Sequence, residues 1–272
     1  MTAVGITVVV DTRAEAPLLG EFGLSLLLEY GAKRILFDVG SGTALAENLN
    51  RRGIDPAQLD KLILSHGHYD HTTGLEALLP RMPETTVFYG VGIDASLHSL
   101  RDDLPMRSIA MPEAARRALF AHPRRREIDA LTEIAAGMFL TGPIPRVSGE
   151  DCGGRFYLNI AGTVPDSIAD EQALLLAEGI LISGCCHAGV INTMEYCLRT
   201  HPEIPIHAVV GGLHLLHAGE ARLQQTADYL KHHAVRQLVL LHCTGDEAVA
   251  FLRDQLPECT ILTPAAGETV TL

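Results

Sequence analysis

Three imidazoles and a carboxylate, His66, His68, Asp70 and His71, fall within six positions of the run Ser65-His66-Gly67-His68-Tyr69-Asp70-His71. An apolar stretch, Leu62-Ile63-Leu64, leads directly into it. Side chains on an extended segment repeat every two residues, so His66 and His68 point the same way. If the chain then turns, Asp70 and His71 swing round to the same space. Nitrogen and oxygen donors of this kind suit one or two borderline divalent metals, zinc first, with manganese or iron as alternatives. Histidines also cluster in solvated loops by accident. Four donors at this spacing, with glycine and tyrosine between them, weigh for a metal site instead.

A catalytic metal site is seldom built from one segment, and three other histidines follow apolar, strand-like runs. Gly179 to Ser183 leads into Gly184-Cys185-Cys186-His187, His207 to Val210 into Gly211-Gly212-Leu213-His214, and Leu238 to Leu241 into His242-Cys243-Thr244-Gly245. Residues just past strand ends converge on one rim, and glycine lets backbones approach closely there. The repetition marks His187 and His242 as ligands. For His214 a ligand role stays open beside a catalytic one, contact with a substrate oxygen. Cys185 reads as a small buried residue at a tight turn, with a thiolate ligand as the alternative. His98, His122, His201, His217, His232 and His233 lack the strand-end context and read as surface residues, and His207 as structural.

The elements that must position these groups alternate. Strands are expected at Ile6 to Val10, Leu24 to Glu29, Arg34 to Asp38, Leu59 to Leu64 and Val87 to Tyr89. An amphipathic helix is expected over Thr43 to Arg52, and Thr72 or Thr73 is expected to cap a short one over Gly74 to Leu79. From about 92 to 140 the pattern is poorest. It carries helical patches at Glu113 to Phe120 and Ile128 to Ala136, and an Arg124-Arg125-Arg126 run that reads as a solvated turn, with a substrate-anion role as the alternative. Beyond it come strands at 173–177, 179–183, 207–210, 237–241, 260–262 and 269–272. Helices fall at 190–198, 219–232 and 246–255, the last capped by Thr244 or Asp246. Strand and helix alternation without an internal linker reads as a single layered domain over 1–272, with 92–140 as a partly helical insertion.

Of the 272 residues, 47% are hydrophobic, 20% charged and 5% aromatic, with no tryptophan, which gives an aliphatic core. A net charge of −12 argues against nucleic acid as a partner and leaves a small molecule as substrate, anionic if the metal reverses the local sign. The apolar Val4 to Val10 is too short for a leader or a membrane span and runs into Asp11, so no membrane association is expected. Six scattered cysteines, Cys152, Cys185, Cys186, Cys197, Cys243 and Cys259, show no disulfide framework. A reducing, cytoplasmic setting follows.

The His66-Gly67-His68-Tyr69-Asp70-His71 segment resembles the signature of the metallo-β-lactamase superfamily. Gly23 to Glu29, Ile35 to Gly40, Ser65 to Leu75, Ser183 to Asn192, Gly211 to Leu215 and His242 to Gly245 resemble its branch of methanopterin-type dihydropteroate synthase-like proteins, mostly described as metal-dependent hydrolases. The resemblance implies an α/β (α+β) chain folded as a four-layer αββα sandwich, with metals at one edge. It implies His66, His68 and His187 around one metal, Asp70, His71 and His242 around a second, and Asp38 as the support of the histidine loop. The sequence departs from the family in having no histidine between Thr141 and Ile182 for the usual third ligand, and Cys185 at the usual bridging-aspartate position. The activity expected is hydrolysis by a metal-bound hydroxide, the water pKa being lowered from about 15.7 toward ~7. Asp70 would orient it and His214 would donate to a substrate oxygen. The alternative is a transferase that displaces pyrophosphate from a pterin diphosphate.

Overall fold

A computed structural model describes residues 3–101, 104–150 and 154–272. Cys152 lies outside the described residues. Two compact units emerge, one of Met1–Ile128, Gly154–Asp170 and Pro264–Leu272, the other of Asp129–Gly153 and Glu171–Thr263.

In the first unit, seven strands form a sheet in the order Thr269–Thr271, Val4–Val10, Ser25–Tyr30, Lys33–Phe37, Lys61–Ile63, Thr86–Gly90, Arg125–Ile128. The early hairpins are antiparallel, and from Lys33–Phe37 onward the strands run parallel. Parallel strands need crossovers, and helices Ala44–Arg51 and Glu113–Ala121 supply two of them. Leu36, Leu62 and Val87 pack with Leu45, Leu49, Leu75 and Leu119 in one core. Each such buried leucine contributes about 1.5–3 kcal/mol. A separate three-stranded sheet, Arg155–Tyr157, His98–Arg101 and Leu104–Ser108, is antiparallel throughout.

The second unit is built the same way. Its sheet runs Thr260–Leu262, Gln237–Leu240, Ala208–Gly211, Ile180–Ser183, Leu174–Leu176, Met138–Leu140, Thr132–Ala135. The first four are parallel, and helices Val190–Thr200, Glu220–His232 and Asp246–Gln255 cross between them. Leu181, Val209 and Leu238 pack against Met194, Leu230 and Leu252.

Several expectations need correction. Ile128 to Ala136 is not helical. Ile128 ends one strand and Thr132–Ala135 forms another, because Ile128, Thr132 and Ile134 fit a pleated surface and Gly137, at φ 74°, turns the chain into Met138–Leu140. Only part of the arginine run is a turn: Arg124 lies in it, exposed and paired with Glu84, while Arg125 and Arg126 open the edge strand Arg125–Ile128, with Arg125 Nη1 donating to His122 O at 2.9 Å. Neither threonine caps the short helix Leu75–Leu78. The Thr72 and Thr73 hydroxyls donate back to the His68 and Tyr69 carbonyls at 2.8 and 2.6 Å. Gly245 precedes helix Asp246–Gln255 with no side-chain cap, and Thr244 Oγ1 accepts from Leu213 N at 3.1 Å instead. His98 and His122 are buried, not on the surface, His122 Nε2 lying 3.0 Å from Met82 O. Among the described residues no helix is long and apolar enough to cross a membrane.

Candidate metal centre

Every candidate donor in the first unit follows the C-terminal end of a parallel strand. Lys33–Phe37 ends at Asp38, and Lys61–Ile63 runs through Leu64 into Ser65 and His66. Asp38 sits in the left-handed region at φ 59°, a strained conformation for a residue other than glycine, of the kind held at functional sites. Its carboxylate organises the loop. Oδ1 accepts from Ser65 N and Oδ2 from Ser65 Oγ, both at 2.7 Å. The same Oδ2 lies 2.7 Å from His71 Nδ1, and Ser65 Oγ lies 2.8 Å from His66 Nδ1.

This network fixes two tautomers. A hydroxyl has one proton, and Ser65 gives it to Asp38, so Ser65 Oγ accepts from His66 Nδ1–H. A carboxylate only accepts, so His71 Nδ1 donates to Asp38. On both rings the lone pair therefore sits on Nε2, the nitrogen suited to a metal. A carboxylate behind a ligating histidine is the arrangement that orients the ring and raises its basicity.

The four donors of the motif stand together. The His66 ring centroid lies 4.4 Å from that of His68 and 4.3 Å from that of His71. Asp70 Oδ2 lies 3.8 Å from His71 Nε2. The turn that the sequence required is the short helix Tyr69–Thr72. The loop is braced by Tyr69 N, which donates to Ile109 O at 2.9 Å, and by Gly67 N, which donates to Asp170 Oδ2 at 2.6 Å. Phe156 stands beside His68, the ring centroids 5.7 Å apart. A buried donor set of imidazoles and a carboxylate, with ring orientation fixed from behind, fits a divalent cation.

In the second unit the parallel strands end at Ser183, Gly211 and Leu240, and His187, His214 and His242 follow them. His214 and His242 both take φ 50°, and Cys186 takes φ 60°. The His187 and His214 rings are neighbours, their centroids 4.3 Å apart. Glu171 holds the His187 loop: its two carboxylate oxygens accept from His187 N and Ala188 N, each at 2.6 Å. Burial pushes the Glu171 carboxyl up from the usual range, and those two N–H groups pull it back. Cys185 lies in the same end of the sheet, where its sulfur, a His214 nitrogen and the Cys243 sulfur fall within 4.8 Å of one another.

Other histidines stay out of these groups. His201 packs on Phe139, the rings 4.2 Å apart, His233 on Tyr229 at 4.3 Å, and His207 Nε2 meets Glu178 O at 2.8 Å. Sequence reasoning gave no role to Asp170, Glu171 or Cys243. The acidic pair Asp170-Glu171, shortly before the apolar strand Leu174–Leu176, was the available signal for the first two, and a cysteine beside a strand-end histidine for the third.

Comparison with known proteins bears on this geometry. The model of the metallo-beta-lactamase superfamily matches residues 18–164, more than half of the chain. The chain belongs to that superfamily. Within it, the chain is 32% identical over 251 residues to the protein MJ0448 of Methanocaldococcus jannaschii, covering 91% of this chain and 93% of the relative. It is 26% identical over 267 residues to the 7,8-dihydropterin-6-methyl-4-(beta-D-ribofuranosyl)-aminobenzene-5'-phosphate synthase of the same organism, covering 89% and 87%. The solved structure of Tm1679, described as a metal-dependent hydrolase of the beta-lactamase superfamily, aligns with a TM-score of 0.84 at 27% identity over 99% of both chains. The chain has the metallo-beta-lactamase fold.

Proposed function

We propose that this chain is a metal-dependent hydrolase acting on a small anionic molecule. In this reading His66, His68 and His187 hold one divalent ion and Asp70, His71 and His242 a second, with zinc as the native metal. The observation that carries the proposal is the pair of histidines locked through Nδ1, His66 by Ser65 and His71 by Asp38, so that both offer Nε2. The solved hydrolase similar over the whole chain supports it.

A divalent ion bound by these donors supplies a water of lowered pKa and polarises a substrate oxygen. The protein's own residues do the rest. Asp70 offers one carboxylate oxygen as a donor and the other as an acceptor that orients the attacking water and holds its proton. His214 donates a ring N–H to a substrate oxygen. Asp38, Ser65, Asp170 and Glu171 touch no substrate. They hold the loops at fixed geometry, which lowers the entropic cost of reaching the reactive arrangement. No serine or cysteine nucleophile is required.

The 26% identical synthase favours a second reading. There the same residues assist departure of pyrophosphate from a pterin diphosphate while an arylamine attacks the methylene carbon. One experiment separates them. Zinc-loaded protein is given a pterin diphosphate with and without an arylamine, alongside a panel of small phosphoesters and carboxylic esters. The hydrolase reading expects turnover of a panel member without any amine, reduced at least ~100-fold in Asp70→Asn. Consumption of the pterin diphosphate only with the amine, and of no ester, would replace it with the transferase.

A further inference from the structure

The geometry points to a second kind of metal site in the second unit, a thiolate site for a soft divalent cation, built from Cys185, His214 and Cys243. It shares no donor with the histidine–carboxylate set proposed above.

Its three donors come from three adjacent parallel strands. Ser183 pairs in register with Gly211, and Gly211 with Leu240, so these strands end level. Cys185 lies two residues beyond the first, and His214 and Cys243 three residues beyond the others. Neighbouring strands stand about 4.8 Å apart, which is the spacing needed to present one donor each to a common point. The two sulfurs and a His214 ring nitrogen all fall within 4.8 Å of one another. Sulfurs sharing one zinc stand ~3.8 Å apart, given tetrahedral angles and a Zn–S bond of about 2.3 Å. Closure therefore shortens the sulfur–sulfur separation by at most about an ångström.

The backbone is shaped for the sulfur. A Cβ on Gly212 would lie 2.5 Å from Cys243 Sγ and 2.6 Å from Gly184 O, so only glycine leaves the thiol its place. Gly212 N donates to Gly184 O at 3.0 Å, Leu213 N to Thr244 Oγ1 at 3.1 Å and Leu216 N to Cys243 O at 3.1 Å, which ties the three loops together. His214 is held at φ 50°, and Arg222 Nη1 donates to its carbonyl at 3.0 Å. A cysteine that merely fills a core puts its sulfur against carbon. Here each sulfur faces another sulfur and an imidazole, the donor set of Cys₂His zinc sites, which keep a fourth position open. Both cysteines are buried, while His214 is partly exposed. Binding releases the two thiol protons. His214 ligates through one ring nitrogen, and the other N–H keeps the role of donor to a substrate oxygen.

The test is a titration of the reduced, metal-free protein with Co²⁺, followed by its near-ultraviolet thiolate-to-cobalt charge-transfer band. The expected result is a band that falls by about half in Cys185→Ser and in Cys243→Ser, vanishes in the double variant and survives in His68→Ala. Cobalt bound by the unaltered protein with no such band, or a band undiminished in Cys243→Ser, would overturn the site. Loss of bound cobalt in His68→Ala with the band retained would leave this site standing whatever becomes of the hydrolase reading. Because the cysteine variants put folding at risk, alkylation of the unaltered protein provides a second measurement. Zinc should protect Cys185 and Cys243 at least tenfold while Cys259 labels at an unchanged rate. Equal labelling of Cys185 and Cys243 with and without zinc would overturn the proposal.

Discussion

Asp38 Oδ2 lies 2.7 Å from His71 Nδ1, and both side chains are fully buried. One carboxylate thus sets the tautomer of His71 directly and that of His66 through Ser65. In Asp38→Asn the amide NH₂ faces His71 Nδ1 and donates to it. The ring proton then moves to Nε2, and the lone pair turns away from a metal. Zinc affinity is expected to fall 10–100-fold, measured by competition with a chromogenic chelator. Affinity equal to that of the unaltered protein would show that Asp38 only braces the loop.

Gly67 separates the first two histidines for a steric reason. A Cβ there would overlap Ile93 O, and Gly67 N is fixed by Asp170 Oδ2 at 2.6 Å. Gly67→Ala is expected to cost about 1–3 kcal/mol in urea denaturation and to lower metal content together with stability. Loss of neither would mean that the loop has room the packing does not show.

Glu21 accepts five hydrogen bonds, from Ser41 N, Gly42 N, Thr43 N, Thr43 Oγ1 and Ala44 N at 2.7–3.1 Å, across the start of helix Ala44–Arg51. It does the work of a cap from a distant loop. Glu21→Ala is expected to lower stability by about 1–2 kcal/mol and leave bound metal unchanged, a pairing that thermal unfolding and elemental analysis check together.

The Cys197 thiol, on the buried side of helix Val190–Thr200, is pushed by burial from its ordinary 9.0 up to about 12. The folded chain keeps that proton after the unfolded chain has lost it. Its contribution is therefore complete below pH 9 and is lost as pH rises from 9 toward 12, by at most about 1.4 kcal/mol per unit. Denaturation measured at pH 8, 9, 10 and 11 should show a steeper alkaline decline in the unaltered protein than in Cys197→Ala. Parallel declines would show that the thiol ionises within the fold.

The parts of this molecule written as short-range pattern were readable before any coordinates. A parallel strand announces itself as a short apolar run, and a donor placed directly after it is confined to the strand's end. That is why His66, His187, His214 and His242 stand out while His122 and His201 do not. What escaped is held by partners remote in sequence. Asp170 reaches Gly67 across 103 positions, and Glu21 reaches Ala44 at the helix start across 23. No local pattern encodes such pairings. The stretch from Ile128 to Ala136 failed for a different reason: its few apolar residues satisfy helical and pleated spacing alike, and pairing with Met138–Leu140 decided the outcome.

The central claim is that the clustered histidines hold a metal, and elemental analysis by mass spectrometry tests it most directly. Protein purified without added metal is compared with His68→Ala, both confirmed folded by circular dichroism. The account predicts one or two equivalents of divalent metal in the histidine–carboxylate set, zinc foremost, with one more where the thiolate site is filled, and a loss of about one equivalent in the variant. Equal metal content in the two proteins would contradict it.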